Sequence, residues 1–202
     1  RLSLGIITVV NHSNHHTYPD FIDELVDTFQ PNQISVNLVR DMHNLRSEES
    51  LSVLDAYKIA IERYEWHLQK KSLTALNYFG GRIIRAKESL QKQLIYRVMR
   101  FDEFVTPCTA GDLIYVIWED GRVNACEMLP DSVGNILGDK PENNFRHIVT
   151  NTAAKALRNK IVAEKCKCSY ECAMTINTLF SWPLARTLWS NVLQGETTAR
   201  TD

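Results

Sequence analysis

Long apolar runs, an excess of charge of either sign and basic stretches interleaved with aromatics are all missing from this chain of 202 residues. No stretch of about 18 apolar residues occurs, and the opening RLSLGIITVV is too short and too weakly flanked for a bilayer span or a secretion signal. Lysine and arginine total 23 against 24 acidic residues, a formal net charge of −1, which makes nucleic acid a poor choice of partner. Internal repeats and low-complexity tracts are absent too. With 44% hydrophobic residues, what remains is a soluble globular protein, long enough for one large domain or two small ones. The reducing cytoplasm is its expected compartment, with no membrane partner.

Cysteine is missing from the first 107 positions and then appears five times: Cys108 and Cys126, followed by Cys166, Cys168 and Cys172 in KCKCSYEC. Cysteines so close in sequence seldom reach the Cβ geometry a disulfide needs, so KCKCSYEC does not read as bonded to itself. Thiolates converging on a soft metal are the alternative, and four of them make either a closed zinc site or an iron–sulfur site. Against this stands the behaviour of cysteine as a small buried hydrophobe. Cys126 does not look like core filler. LIYVIWEDGRVNACEML reads as a hairpin around Asp120-Gly121, pairing Trp118 with Val123, Val116 with Ala125 and Tyr115 with Cys126. That register places Cys126 on the polar face with Arg122 and Asn124.

The first half alternates strand and helix. LGIITVV is β-rich, and TYPDFIDELVDTFQP sets Phe21, Ile22, Leu25, Val26 and Phe29 on one helical face. ISVNLV is a second strand ending at Arg40-Asp41, and SEESLSVLDAYKIAIERYEWHLQKK is a long amphipathic helix capped by Ser47 or Ser50, with Leu51, Leu54, Tyr57 and Ile61 inward. Such alternation argues for a parallel sheet or barrel segment, and two βα units cannot close a barrel. Residues 73–100 read as helical, interrupted at Gly80-Gly81. Beyond the hairpin, SVGNILGD is turn-like, NNFRHIVTNTAAKALRNKIVAEK mostly helical, and Pro183 breaks the tail. The periodicity changes near Pro107-Cys108. Arg1 leads straight into a strand, as if a fold were entered midway, so a fragment is expected.

CTAGDLIYVIWEDGRVNACEMLPDSVGNILGD resembles the opening of a SPASM or twitch domain, the auxiliary iron–sulfur module that follows the barrel of many radical S-adenosylmethionine enzymes. The family pattern of a cysteine, a gap, a glycine, four residues and a second cysteine is matched by Cys108, Gly121 and Cys126. Gly134 to Ile136 supply the usual Gly-Asn-Ile, and CKCSYECAMTINTLF resembles the downstream cysteine cluster. GIITVVNHSN is similar to the fifth barrel strand and ISVNLVRD to the sixth. The resemblance implies an α/β fold: residues 1–100 as the C-terminal βα units of a partial (β/α)6 TIM-like barrel with linking helices, and residues 101–202 as a small α+β auxiliary-cluster domain containing the hairpin.

A full SPASM domain has seven cysteines and two clusters; five cysteines imply a single auxiliary 4Fe-4S cluster, on Cys108, Cys126, Cys168 and Cys172, with Cys166 competing with Cys168. The CxxxCxxC motif that binds the family's catalytic cluster is missing, so the intact enzyme would carry S-adenosylmethionine, a second 4Fe-4S cluster and an electron donor, and would generate a 5′-deoxyadenosyl radical on an unidentified substrate, a peptide or a small molecule. Arg40, at the end of the second strand, is then a partner for the S-adenosylmethionine carboxylate, and Asn14 and Asn37 for its nucleoside. Their alternative roles are a solvated arginine and turn or capping amides. Glu127 and Glu171 adjoin ligands. His12, His15 and His16 read as a surface βα loop, and Trp66, Tyr78, Phe101 and Phe104 as core. The competing class is a non-catalytic binding protein with a structural zinc–cysteine site.

Overall fold

The computed structural model describes residues 3–40, 47–70, 72–73, 80–138 and 140–194. Strand β1 (Gly5–Val10), helix α1 (Tyr18–Phe29), strand β2 (Gln33–Leu38) and helix α2 (Glu48–Gln69) follow in order, and β1 pairs with β2 in parallel, Gly5 opposite Gln33 through Val10 opposite Leu38. Alternation along these strands sends Thr8, Val10, Ile34, Val36 and Leu38 to the buried face, while Ile7 and Val9 stay exposed on the other. The Thr8 hydroxyl is satisfied there by Tyr18 Oη at 2.6 Å and the Ser35 carbonyl at 3.0 Å.

Helix α1 ends where Gln30 turns left-handed (φ 46°) ahead of Pro31, which cannot continue a helix. It buries Tyr18, Ile22, Leu25 and Val26; Phe21 and Phe29 lie at the edge of the apolar stripe and are exposed, against the sequence reading. Ser47 caps α2 by accepting from the Ser50 amide, with Glu48 and Glu49 in the first turn complementing the helix dipole. Leu54, Tyr57 and Ile61 are buried, and Leu51 half-buried. Helix α3 (Gly81–Phe101) starts after Gly80 (φ +86°) and ends at left-handed Asp102. Residues 74–79, including Tyr78, lie outside the described residues. Because α2 flanks α3 on one side and two later helices on another, even Lys87 and Lys92 are buried, and both ion-pair with Glu88. Two opposite charges on one carboxylate offset what burying any of them alone would cost.

The second unit is an antiparallel sheet of β3 (Val116–Ile117), β4 (Arg122–Asn124) and β5 (Ser132–Asn135), covered by α4 (Phe145–Thr150) and α5 (Thr152–Ala163). The hairpin differs from the sequence reading by one residue: Val116 opposes Asn124 and Ile117 opposes Val123, while the Trp118 amide donates to the Arg122 carbonyl at 2.9 Å. Glu119, Asp120 and Gly121 therefore form a three-residue loop with glycine left-handed at its end (φ +80°), a form of hairpin in which the extra residue is absorbed as a bulge. Cys126 thus lies past the end of β4 and has no partner in β3. SVGN is a strand, not a turn. Its Gly134 lets α4 come so near that an added Cβ would stand 2.9 Å from Ile148 Cγ1 and Cγ2. Asn144 and Asn151 cap α4 and α5, and the Asn151 amide also donates to the Val133 carbonyl at 2.8 Å, tying helix to strand.

Two cores result. Val10 through Ile95 build the first; Ala110, Val123, Ala125, Val133, Ile148, Ala154, Leu157 and Ile161 build the second. Val105 still packs against the first core, and the second begins at Ala110. Helices α6 (Glu171–Phe180) and α7 (Trp182–Gln194) nevertheless return to the first core, packing on α3 and contributing Met174 and Leu188. Pro183, in the first turn of α7, marks the break between them. The class is mixed α/β with small sheets. No helix among the described residues is long and apolar enough to cross a membrane.

Candidate metal centre

Three segments bring sulfur together. Cys108 stands in the stretch after α3, where the Thr109 amide is held by Asn177 Oδ1 of α6 at 2.8 Å. Cys126 follows β4, its backbone continuing from the fully buried Val123 and Ala125. Cys166 is placed by the end of α5: Lys165 is left-handed (φ 50°), its amide donates to the Val162 carbonyl, and the Cys166 amide donates to Ile161 at 3.0 Å. That pair of bonds is a Schellman cap, which turns the chain sharply and directs the next residue back against the helix. Cys108, Cys126 and Cys166 consequently pack on the same second core.

The Cys166 thiol hydrogen-bonds to Cys108, and this, with the Ala110 amide and the Asn177 side chain, brings the Cys108 pKa down to about 6 in spite of burial. The same bond, then burial and the charges of Cys108, Cys168 and Cys126, drives Cys166 far up. Burial, followed by Cys108, Cys126 and Glu171, pushes Cys168 to about 12. Four sulfurs therefore lie within electrostatic reach of one another: Cys108, Cys126, Cys166 and Cys168. Without a cation one ionises readily and resists the ionisation of the others; a divalent metal reverses that balance and releases protons on binding. Cys172 is exposed in the first turn of α6. Among the described residues, no three His, Cys, Asp or Glu side chains are grouped at ligand spacing.

A cleft of about 280 Å³ opens beside Cys108, lined also by Ala110, Asp112, Arg158 and Ile161. Arg158 holds its wall by donating to the carbonyls of Gly111 (2.9 Å) and Val149 (3.0 Å) and to Tyr115 Oη (3.1 Å). A larger cleft of about 480 Å³ lies at α1 and α2, where Arg63 and His67 both bind Asp23. Trp66 lines it and is half exposed, and Phe101 and Phe104 are exposed as well, so these aromatics are not core.

The C-terminal ends of β1 and β2 meet the cysteine segments. Arg40 stacks on the Tyr170 ring at 4.0 Å and pairs with Glu127 at 3.4 Å, joining the strand end to residues beside Cys126 and Cys168. The Glu171 carboxylate accepts from the Leu38 amide; burial raises its pKa, opposed by that bond and by Lys92 and Arg40, and Oε1 is buried without a partner. Asn37 accepts from Ser35 Oγ at 2.8 Å. Asn14 is committed to its own turn, accepting from the Asn11 amide at 2.8 Å and donating to the Val9 carbonyl at 2.9 Å. In the same loop His12 pairs with Glu49 at 3.3 Å, and His15 is buried, not on the surface. Asn177, Tyr170 and Arg158 were beyond the sequence reading. A polar residue in the apolar run AMTINTLF was the one available signal for Asn177.

No protein-family model matches the chain, and neither the curated proteins nor the solved structures contain a significant match to it.

Proposed function

We propose that the chain is the C-terminal portion of a radical S-adenosylmethionine enzyme, that its two βα units belong to a partial barrel, and that Cys108, Cys126, Cys166 and Cys168 hold one auxiliary 4Fe-4S cluster. Cys166 replaces Cys172 in the ligand set, since Cys172 points away from the shared core into solvent. The observation that carries the reading is the convergence of these thiols beside the C-terminal ends of two parallel strands, the end at which βα-barrel sites gather. Four thiolates are the donor set of such clusters. When bound, the cluster would supply one-electron transfer. The chain's own residues bind and orient: Arg40 fixes the strand end to the cysteine segments, Asn37 remains half-exposed on the open sheet face, and burial raises the pKa of the Glu171 carboxyl near the strand end. Asn14, satisfied within its turn, is left out of the cofactor contacts.

A structural zinc site is the second reading, favoured by the small size of the core on which the sulfurs pack. Anaerobic reconstitution with iron and sulfide, followed by metal analysis, separates the two. A brown protein with about four irons and four sulfides per chain supports the cluster. A colourless protein that retains one zinc and no iron refutes it.

A further inference from the structure

The cleft of about 480 Å³ between α1 and α2 shares no residue with the cysteine centre. One face of each helix lines it: Asp23 and Asp27 from α1, and Ile59, Glu62, Arg63, Trp66 and His67 from α2. Its charge is one-sided, because α1 carries Asp20, Asp23, Glu24 and Asp27 and no basic residue. Arg63 is the one arginine or lysine of the lining, and it is taken up by Asp23 and, at 3.6 Å, by Asp20. Asp27 and Glu62 have no ion-pair partner among the described residues.

His67 supplies an independent observation. It is 3% exposed, and its Nε2 donates to Asp23 Oδ1 at 2.8 Å, since a carboxylate bound by Arg63 can only accept. Nδ1 is then the bare acceptor of the neutral ring, and it is buried without a partner. An open acceptor in such a place costs stability until a donor reaches it. Trp66 meets the His67 ring edge to face at 4.8 Å and is itself half exposed, with the Lys70 ammonium over its ring at 5.4 Å. That distance is close to the limit of a cation–π contact, so the ring already draws an ammonium and is free to take a nearer one.

We propose that this cleft binds a linear alkyl diamine, a small molecule with an ammonium at each end of a hydrocarbon chain. Three carboxylates against Arg63 leave an excess of two negative charges in the lining, which two ammonium groups balance. Each ammonium brings three donors to a site whose open groups are acceptors, and the methylenes cover Ile59 and the Trp66 ring. The volume is that of a small-molecule site. Lys70 holds the ring in the free chain and gives way to the ligand.

The test is calorimetric titration of the full chain with cadaverine at about 0.15 M salt, where charges more than about 8 Å apart are screened; pentylamine, pentanediol and a terminally blocked lysine peptide are the comparison ligands. Cadaverine should bind saturably at one site and more tightly than pentylamine, and pentanediol should not bind. Asp27→Asn and Glu62→Gln should each weaken cadaverine by up to about fivefold, and Trp66→Ala by about two- to fivefold. All three leave the bonds among Asp23, Arg63 and His67 in place, and circular dichroism checks that they fold. Glu24→Gln, on α1 but outside the cleft, should stay near the wild-type value. In nitrogen-labelled protein the His67 Nδ1 resonance should move as cadaverine is added. No saturable binding to the wild type, equal losses in Glu24→Gln and the two carboxamide variants of the cleft, or a His67 resonance that does not move would overturn the site. A lysine peptide that binds more tightly than cadaverine would overturn the small-molecule ligand and make the cleft a docking point for a basic protein.

Discussion

Replacing Gly134 by alanine puts a methyl group into space that Ile148 already fills. The added Cβ would lie 2.9 Å from both Ile148 Cγ1 and Cγ2, more than half an ångström inside the carbon contact distance of about 3.5 Å, and 3.4 Å from its Cβ. Ile148 is 1% exposed and β-branched, so its χ1 cannot swing the offending carbons aside; α4 must move instead. Overpacking of this kind costs about 1–3 kcal/mol, a drop of about 3–9 °C in Tm for a chain of this size. Circular dichroism melts of Gly134→Ala, Ile148→Ala and the double variant form the assay. Ile148→Ala alone should cost about 2–5 kcal/mol, and the double variant should recover at least about 1 kcal/mol relative to the sum, because the truncated side chain makes room for the new methyl. A neutral Gly134→Ala, or additivity within about 0.4 kcal/mol, would refute the claim that close approach of α4 is why a glycine sits in this strand.

Cys108→Ala and Cys166→Ala should each lower bound iron sharply, whereas Cys172→Ala should leave it near the wild-type level; iron and sulfide analysis checks all three, and equal losses would mean that the exposed cysteine is a ligand after all. Lys165→Gly should stabilise the chain by about 0.5–1 kcal/mol, since glycine adopts the left-handed cap without strain, a gain visible in urea midpoints. Arg40→Ala should cost about 1–2 kcal/mol, the sum of a half-exposed ion pair and a cation–π contact, with Glu127→Ala non-additive in a double-mutant cycle. In the metal-free chain the Cys108 pKa is lowered to about 6 from 9.0, so this group's contribution is present above pH 9, shrinks as pH falls and is gone below about 6. The stability difference between wild type and Cys108→Ser should therefore grow from pH 6 to pH 9, and a flat difference would contradict the lowered value.

The βα half was legible because its pattern is carried by periodicity. The apolar alternation of GIITVV and QISVNL and the Ser47 cap of α2 are local signals, and the structure uses them directly. The hairpin register was not legible: Asp120-Gly121 suits a two-residue turn, yet the same glycine also closes a three-residue loop, and packing of Leu137 and Asn135 against Gly121 belongs to tertiary structure. SVGN reads as a turn until Ile148 is known to press on it. Phe21, Phe29, Trp66, Phe101 and Phe104 show the converse, since large apolar residues are commonly left at a surface. At the cysteines the spacing pointed to thiols acting together, but a Schellman cap after α5, absent from any spacing rule, is what brings Cys166 against Cys108.

The return of α6 and α7 to the first core has a consequence for the order in which the chain can fold. Met174 and Leu188 complete a core begun by Val10, so the first unit cannot close around its own strands during synthesis; it waits, with one side of α3 uncovered, until the three-stranded sheet has been made and passed over. The second unit, whose core residues run from Ala110 to Ile161 without interruption, has all its parts at hand earlier. Cys108, Cys126 and Cys166 meet on that second core, and the rest of KCKCSYEC, with Cys168, is drawn in when the closing helices dock.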